Sequence, residues 1–189
     1  VFIGENVIIG NNTVIFSGVK ILNDCVIGNN CIINSNSIIG SDGFGFNLDK
    51  NGNQIKVIHN GNVILEDNVE IGDNTKIGPF CIVRGGAKIG NNCSFTAYCE
   101  IRENVVIGDG TTMGSRCTIS ADATIGKNCV IKYAFVLTDT PDLNENGTKV
   151  VKGIGNDVLI GANVTLMPNT SIGDNSIIGA CSQVRSDVG

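Results

Sequence analysis

Aliphatic side chains return every sixth residue along most of this chain. Ile3, Ile9, Ile15, Ile21, Ile27, Ile33 and Ile39 make a first run. A second run holds Leu65, Ile71, Ile77, Val83, Ile89, Phe95, Ile101, Ile107, Met113, Ile119, Ile125, Ile131 and Leu137. Ile154, Ile160, Leu166, Ile172, Ile178 and Val184 make a third. Gly, Asn or Asp commonly follows each of them, and the residue two places before is usually Val, Cys, Thr, Ser or Ala. A fixed short period of this kind is the signature of a repeat architecture.

Six residues suit a short strand and a corner. Strand alternation points position i and position i−2 to the same side, and Gly, Asn or Asp then turns the chain. A helix is excluded, because six is not a multiple of 3.6 and Gly and Asn recur in every would-be turn. Three units close a triangular coil of 18 residues, and coils stack about 4.8 Å apart through parallel, in-register strands. Reading every eighteenth residue keeps the columns aliphatic: Ile71, Ile89, Ile107 and Ile125 in one, Leu65, Val83, Ile101, Ile119 and Leu137 in another.

The phase slips twice, which places inserts at about 41–62 and 138–153 in a single domain spanning 1–189. Because the chain starts and stops within repeats, a fragment lacking its natural ends is the expectation.

The eight cysteines change meaning on this lattice. Cys25, Cys31, Cys81, Cys93, Cys99, Cys117 and Cys129 all fall at i−2, so they are expected to be small core residues rather than a redox or metal set. There is no CxxC pair and one histidine, so no metal is expected. Many unpaired thiols suit a reducing compartment, which favours the cytoplasm. A net charge of −5 without a basic run argues against nucleic acid or an anionic membrane as partner.

The Ile-Gly-x-x-x-x pattern resembles that of the hexapeptide-repeat acyltransferases. The resemblance implies an all-β, left-handed parallel β-helix with two extruded loops, a homotrimer, and an acyl donor bound between subunits. Residues 3–75, with "IIGSDGFGF" at Ile38–Phe46, resemble UDP-3-O-acyl-glucosamine N-acyltransferases. Residues 154–188 resemble the last coils of acetyl-CoA-dependent sugar and serine acetyltransferases. The second likeness implies acetyl-CoA beside Gly161, Ala162 and Ala180, with Arg185 available to a phosphate.

The histidines these families use are replaced. Glu103 stands at one expected place and Thr140, before Pro141, at another. Losing a general base costs about 10²–10⁴ in rate, roughly 3–5 kcal/mol. A hydroxyl acceptor could ill absorb that. An amine with a pKa of about 7.7–8.0 is roughly a tenth neutral at pH 7, so N-acylation of an amino sugar is the expected chemistry.

Stacking nominates helpers. Glu103 and Asp139 both lie at i+2, two coils apart, with Arg84 and Arg102 at i+1 beside them and Phe80, Tyr98 and Arg116 in the next column. The expectation is one charged, aromatic corner, shared with the second insert, that holds the substrate. Asp139, Glu103 and the lone His59 are the candidate catalytic residues, and Arg84, Arg102, Tyr98, Arg116 and Thr140 the candidate substrate contacts.

Two other β-helical classes need residues in patterns this chain does not have. A β-helical carbonic anhydrase needs three zinc-binding histidines. An ice-binding face needs threonines at 18-residue spacing, whereas Thr112, Thr118 and Thr124 recur every six. The remaining alternative is a catalytically silent scaffold, or a filament former joining coils end to end.

Overall fold

The computed structural model describes residues 1–42, 45–57, 61–140 and 150–189. The hexapeptide rhythm becomes a left-handed parallel β-helix with three faces. The first sheet has nine strands, from Phe2–Ile3 to Ile177–Ile178. The second also has nine, from Ile8–Ile9 to Gln183–Val184, and the third has eight, from Val14–Ile15 to Ser171–Ile172.

Each strand is two residues long, one facing in and one out, and it pairs with the strand one coil away: Ile82 with Glu100, Val83 with Ile101. Neither insert disturbs this register. Val26 pairs with Ile64 across the first and Ile125 with Ile154 across the second, so the parallel ladder continues past both. The first leaves from the corner between the first and second sheets and carries an antiparallel hairpin, Phe46–Leu48 with Gln54–Lys56.

Inward aliphatic columns form the core, with Ile71, Ile77, Val83, Ile101 and Ile119 fully buried. The i−2 positions add a second stabilising pattern. Thr75 Oγ1 donates to the Gly90 carbonyl (2.8 Å) and Thr111 Oγ1 to the Gly126 carbonyl (2.8 Å). In the same column the Cys93 thiol donates to the Gly108 carbonyl (3.3 Å) and the Cys129 thiol to the Gly155 carbonyl (3.1 Å). Cysteine here is a hydroxyl substitute that ties one coil to the next, and the seven i−2 cysteines are free and buried.

The corners are held by polar ladders. Asp73, Asn91 and Asp109 lie one above another. Asp73 Oδ1 accepts the Ser35 N–H (2.8 Å), Asn91 Oδ1 the Asp73 N–H (2.7 Å), and Asp109 Oδ1 the Asn91 N–H (2.8 Å). These bonds satisfy turn amides that the two-residue strands leave unpaired.

Candidate functional site

Three residues after most inward aliphatics, the backbone takes a left-handed conformation that turns the corner. L-residues resist it by roughly 1–2 kcal/mol, with Gly free of the cost and Asn and Asp the best adapted of the rest. At the corner between the second and third sheets the position holds Asn30, Asn68, Gly86, Asn104, Asp122 and Asn169. At the corner between the third and first it holds Asn36, Asn74, Asn92, Gly110, Asn128, Asp157 and Asn175.

The corner between the first and second sheets departs from this rule. Asn6, Asp24 and Asn163 follow it there, but Phe80 (φ 60°), Tyr98 (φ 63°), Arg116 (φ 64°), Ala134 (φ 56°) and Cys181 (φ 61°) occupy the left-handed position in the other coils. They are the only residues other than Gly, Asn and Asp to do so among those described. Four of them stand in consecutive coils. Strain concentrated in one place, where the other two corners avoid it, makes this corner the candidate site.

The side chains at this corner build a groove. The Phe80 and Tyr98 rings stack with centroids 4.6 Å apart and planes 1° from parallel. A Cβ on Gly61, at the end of the first insert, would come within 2.3 Å of a Phe80 ring carbon, so the insert closes one end of the stack with bare backbone. Two coils up, the Tyr133 ring lies against Gly114, where a Cβ would meet it at 3.0 Å. Between Tyr98 and Tyr133 opens a groove of about 400 Å³, lined by Ser115, Arg116 and Asn163 over Ala97 and Ala134. Both tyrosines are more than half exposed, and no carboxylate pairs with Arg116 among the described residues.

The expected single corner is therefore two. Arg84, Arg102, Glu103 and Asp139 lie at the corner between the second and third sheets, where the second insert also leaves. Phe80, Tyr98 and Arg116 lie one corner earlier. The reason is the period itself: Tyr98 and Arg102 are close in sequence, but the strand Glu100–Ile101 runs between them and carries the chain across a whole face.

Arg84, Arg102 and Glu103 at the second corner are paired internally. Arg84 reaches Glu66 (2.7 Å) and Glu100 (3.2 Å) along the outer face of the second sheet. Arg102 pairs with Glu103 (3.3 Å). Its own backbone N–H, and then the charge of Arg102, hold the Glu103 carboxyl below the ordinary carboxylate value, which weakens it as a base. The Asp139 carbonyl accepts the Val150 N–H (2.9 Å), and its carboxylate accepts the Thr140 hydroxyl (3.0 Å), so both residues help to close the insert. His59 lies outside the described residues.

The expected donor contacts also divide. Gly161, Ala162 and Ala180 fall at the first corner, above the aromatic groove, where the Ala162 carbonyl accepts the Cys181 N–H (2.8 Å) and a Cβ on Gly161 would come within 2.4 Å of the Ala180 nitrogen. Arg185 belongs to the second corner, one residue after Val184, and lines a separate recess of about 310 Å³ with Ile178, Gly179 and Gln183.

Tyr133, Ser115 and Ala134 escaped the reading of the sequence. The signal that could have found them is register: the third residue after each inward aliphatic should be Gly, Asn or Asp, and the coils where it is Phe, Tyr, Arg or Ala mark the groove. Among the described residues no group of three His, Cys, Asp or Glu is arranged to hold a metal, and no helix is long and apolar enough to cross a membrane.

Comparison with known proteins adds a family. Residues 6–41, 68–103 and 153–186 match the family described as bacterial transferase hexapeptide (six repeats), and residues 104–133 match the hexapeptide repeat of succinyl-transferase. A UDP-3-O-acylglucosamine N-acyltransferase from Campylobacter jejuni subsp. doylei is 39% identical over 70 residues, covering 32% of this chain and 22% of that protein. One from Campylobacter lari is 41% identical over 66 residues, covering 33% and 21%. The chain thus spans about a fifth of these curated relatives.

Among solved structures, a UDP-N-acetylglucosamine acyltransferase superposes with a TM-score of 0.77 at 20% identity, over 99% of this chain and 68% of that one. The UDP-N-acetylglucosamine O-acyltransferase of Moraxella catarrhalis gives 0.60 at 21%, over 98% and 67%. At these identities the likeness is one of fold.

Proposed function

From the premise that this chain belongs to the bacterial transferase hexapeptide family, we propose that it is an acyltransferase working at the corner between its first and second sheets. The acceptor is the amine of an amino sugar, free or nucleotide-linked, and the donor is acetyl-CoA. The observation that carries the reading is the run of strained, bulky residues Phe80, Tyr98 and Arg116 beside the small residues Gly161, Ala162 and Ala180, all on one corner. The names of the relatives that share sequence with this chain, N-acyltransferases of a glucosamine, support an amine acceptor.

The chemistry asks little of a side-chain base. A neutral amine attacks the thioester carbonyl, the tetrahedral adduct expels the CoA thiolate, and the proton lost by nitrogen passes to that thiolate or to solvent. Alignment of amine and thioester supplies the main acceleration. Glu103, already ionised beside Arg102, is a helper of charge balance at most, and Asp139 stands with it at the other corner. The reading includes a homotrimer in the cytoplasm.

The test is calorimetric titration of acetyl-CoA, with oligomer mass measured alongside and CoA thiol release followed with glucosamine as acceptor. Saturable binding in the micromolar to millimolar range with amine-dependent thiol release is expected. No binding and no release from an intact oligomer would replace the enzyme with a structural β-helix.

A further inference from the structure

The Phe80–Tyr98 stack is closed at one end and open at the other. Gly61 presses on Phe80 so tightly that no side chain fits between them, whereas the groove begins beyond Tyr98. That groove has an exposed aromatic at each end, Tyr98 and Tyr133, and between them Arg116, a cation with no anionic partner among the described residues. Neither Tyr98 nor Arg116 is required by the fold, because Asn, Asp or Gly turns the equivalent corners elsewhere at lower cost.

We propose that this groove is a stacking site for a flat ring that carries an anion, a nucleoside phosphate, with the ring laid on the open side of the Phe80–Tyr98 stack and the phosphate on Arg116. The argument is one of complementary chemistry. A parallel ring pair offers a π-face at stacking distance to a further ring, and every nucleobase has a face that stacks on such a surface. A guanidinium without a carboxylate partner is free to make charge-assisted, two-pronged hydrogen bonds to phosphate oxygens. A groove of about 400 Å³ is within the range of small-molecule sites. The inference rests on the acyltransferase reading only in naming two sources of such a group, the nucleotide end of the acyl donor or a nucleotide carried by the acceptor.

The chain supplies its own reporter. It contains no tryptophan and two tyrosines, Tyr98 and Tyr133, both of which line the groove, so the tyrosine emission of the protein reads this site. The experiment titrates the protein with adenosine 3′,5′-bisphosphate, the donor's nucleotide end, and separately with UDP. Emission is corrected for absorbance against N-acetyltyrosinamide. Saturable quenching by one of the two is expected, and which one identifies the source.

Arg116→Asn should weaken that binding at least tenfold, and Tyr98→Asn should remove it. Both variants install the residue this corner position favours, so neither should fail to fold, and circular dichroism checks that each remains a β-helix. Two results would overturn the proposal: quenching by neither nucleotide at millimolar concentration beyond that of the free tyrosine analogue, or equal affinity in Arg116→Asn. Amine acetylation without nucleotide quenching would sink this inference and leave the acyltransferase reading standing. Quenching without acyl transfer would do the reverse.

Discussion

Phe80 and Tyr98 stack face to face, 4.6 Å apart and within 1° of parallel, although each sits in a backbone conformation that bulky residues avoid. Coils spaced by strand pairing set the distance between these rings, so the solenoid itself builds the stack. A double-mutant cycle with Phe80→Leu and Tyr98→Leu should show coupling of about 0.5–1.5 kcal/mol in denaturant unfolding. Coupling near zero would mean that the stack is incidental to stability. Gly61→Ala, which thrusts a methyl into the Phe80 ring, should lower stability and disturb the same cycle.

Strain at the first corner is removable. Ala134→Asn places a left-handed-tolerant residue where alanine now has φ 56°, and should stabilise the protein by about 1 kcal/mol, or about 2–4 °C in Tm for a chain of this size. The converse change, Asn104→Ala, loses that tolerance together with its hydrogen bond to Asp122 (3.0 Å) and should lower Tm. A thermal melt of each variant measures both signs.

The buried cysteines should behave as hydroxyl substitutes. Cys93→Thr copies Thr75 and Thr111 in its own column and is expected to change stability by less than about 1 kcal/mol, whereas Cys93→Leu overpacks the corner and should cost about 1–3 kcal/mol. Urea unfolding of the two variants decides this.

Thiol chemistry has a pH sign. Burial pushes the Cys93 thiol up to about 11. The unfolded chain loses this proton near an ordinary thiol pKa of about 8.5, so the stability that the neutral thiol contributes is complete below that pH and lost as pH rises toward 11. Cys93→Thr should therefore flatten the alkaline fall in stability. At pH 8 a disulfide reagent should titrate one thiol in the native protein, the exposed Cys181, and eight after denaturation.

The pH dependence of acyl transfer tests the absence of a side-chain base. The Glu103 carboxyl is held below the ordinary carboxylate value and stays ionised through the neutral range. The rate with glucosamine should therefore rise with the neutral amine fraction and level off near the amine's own pKa, about 8. Glu103→Gln should leave that profile in place and lower kcat/KM by less than tenfold. A loss of 10² or more, or a limb that disappears in Glu103→Gln, would make Glu103 the base.

Much of this molecule is legible in its sequence because its periodicities are local. A six-residue spacing fixes which side chains face inward, so the columns Leu65, Val83, Ile101, Ile119 and Leu137 and the inward cysteines follow by counting. The two inserts follow from the slip in phase. Counting also places Glu103 and Asp139 two coils apart, as the pairing of Ile101 with Ile119 and of Ile119 with Leu137 confirms.

What counting did not supply was what the outward side chains do at each corner. Tyr98 and Arg102 are near neighbours in the chain yet face different corners, because a strand lies between them. Arg84 and Arg102 look available until the carboxylates of Glu66, Glu100 and Glu103 are seen to hold them. Tyr133 joins Tyr98 only because stacking brings together residues far apart in the chain, and Gly61 meets Phe80 only because the first insert returns to that corner. The inward half of the β-helix is determined by a repeat that every coil obeys. The outward half is decided by the meeting of three or four coils at one corner, and no single repeat contains that information.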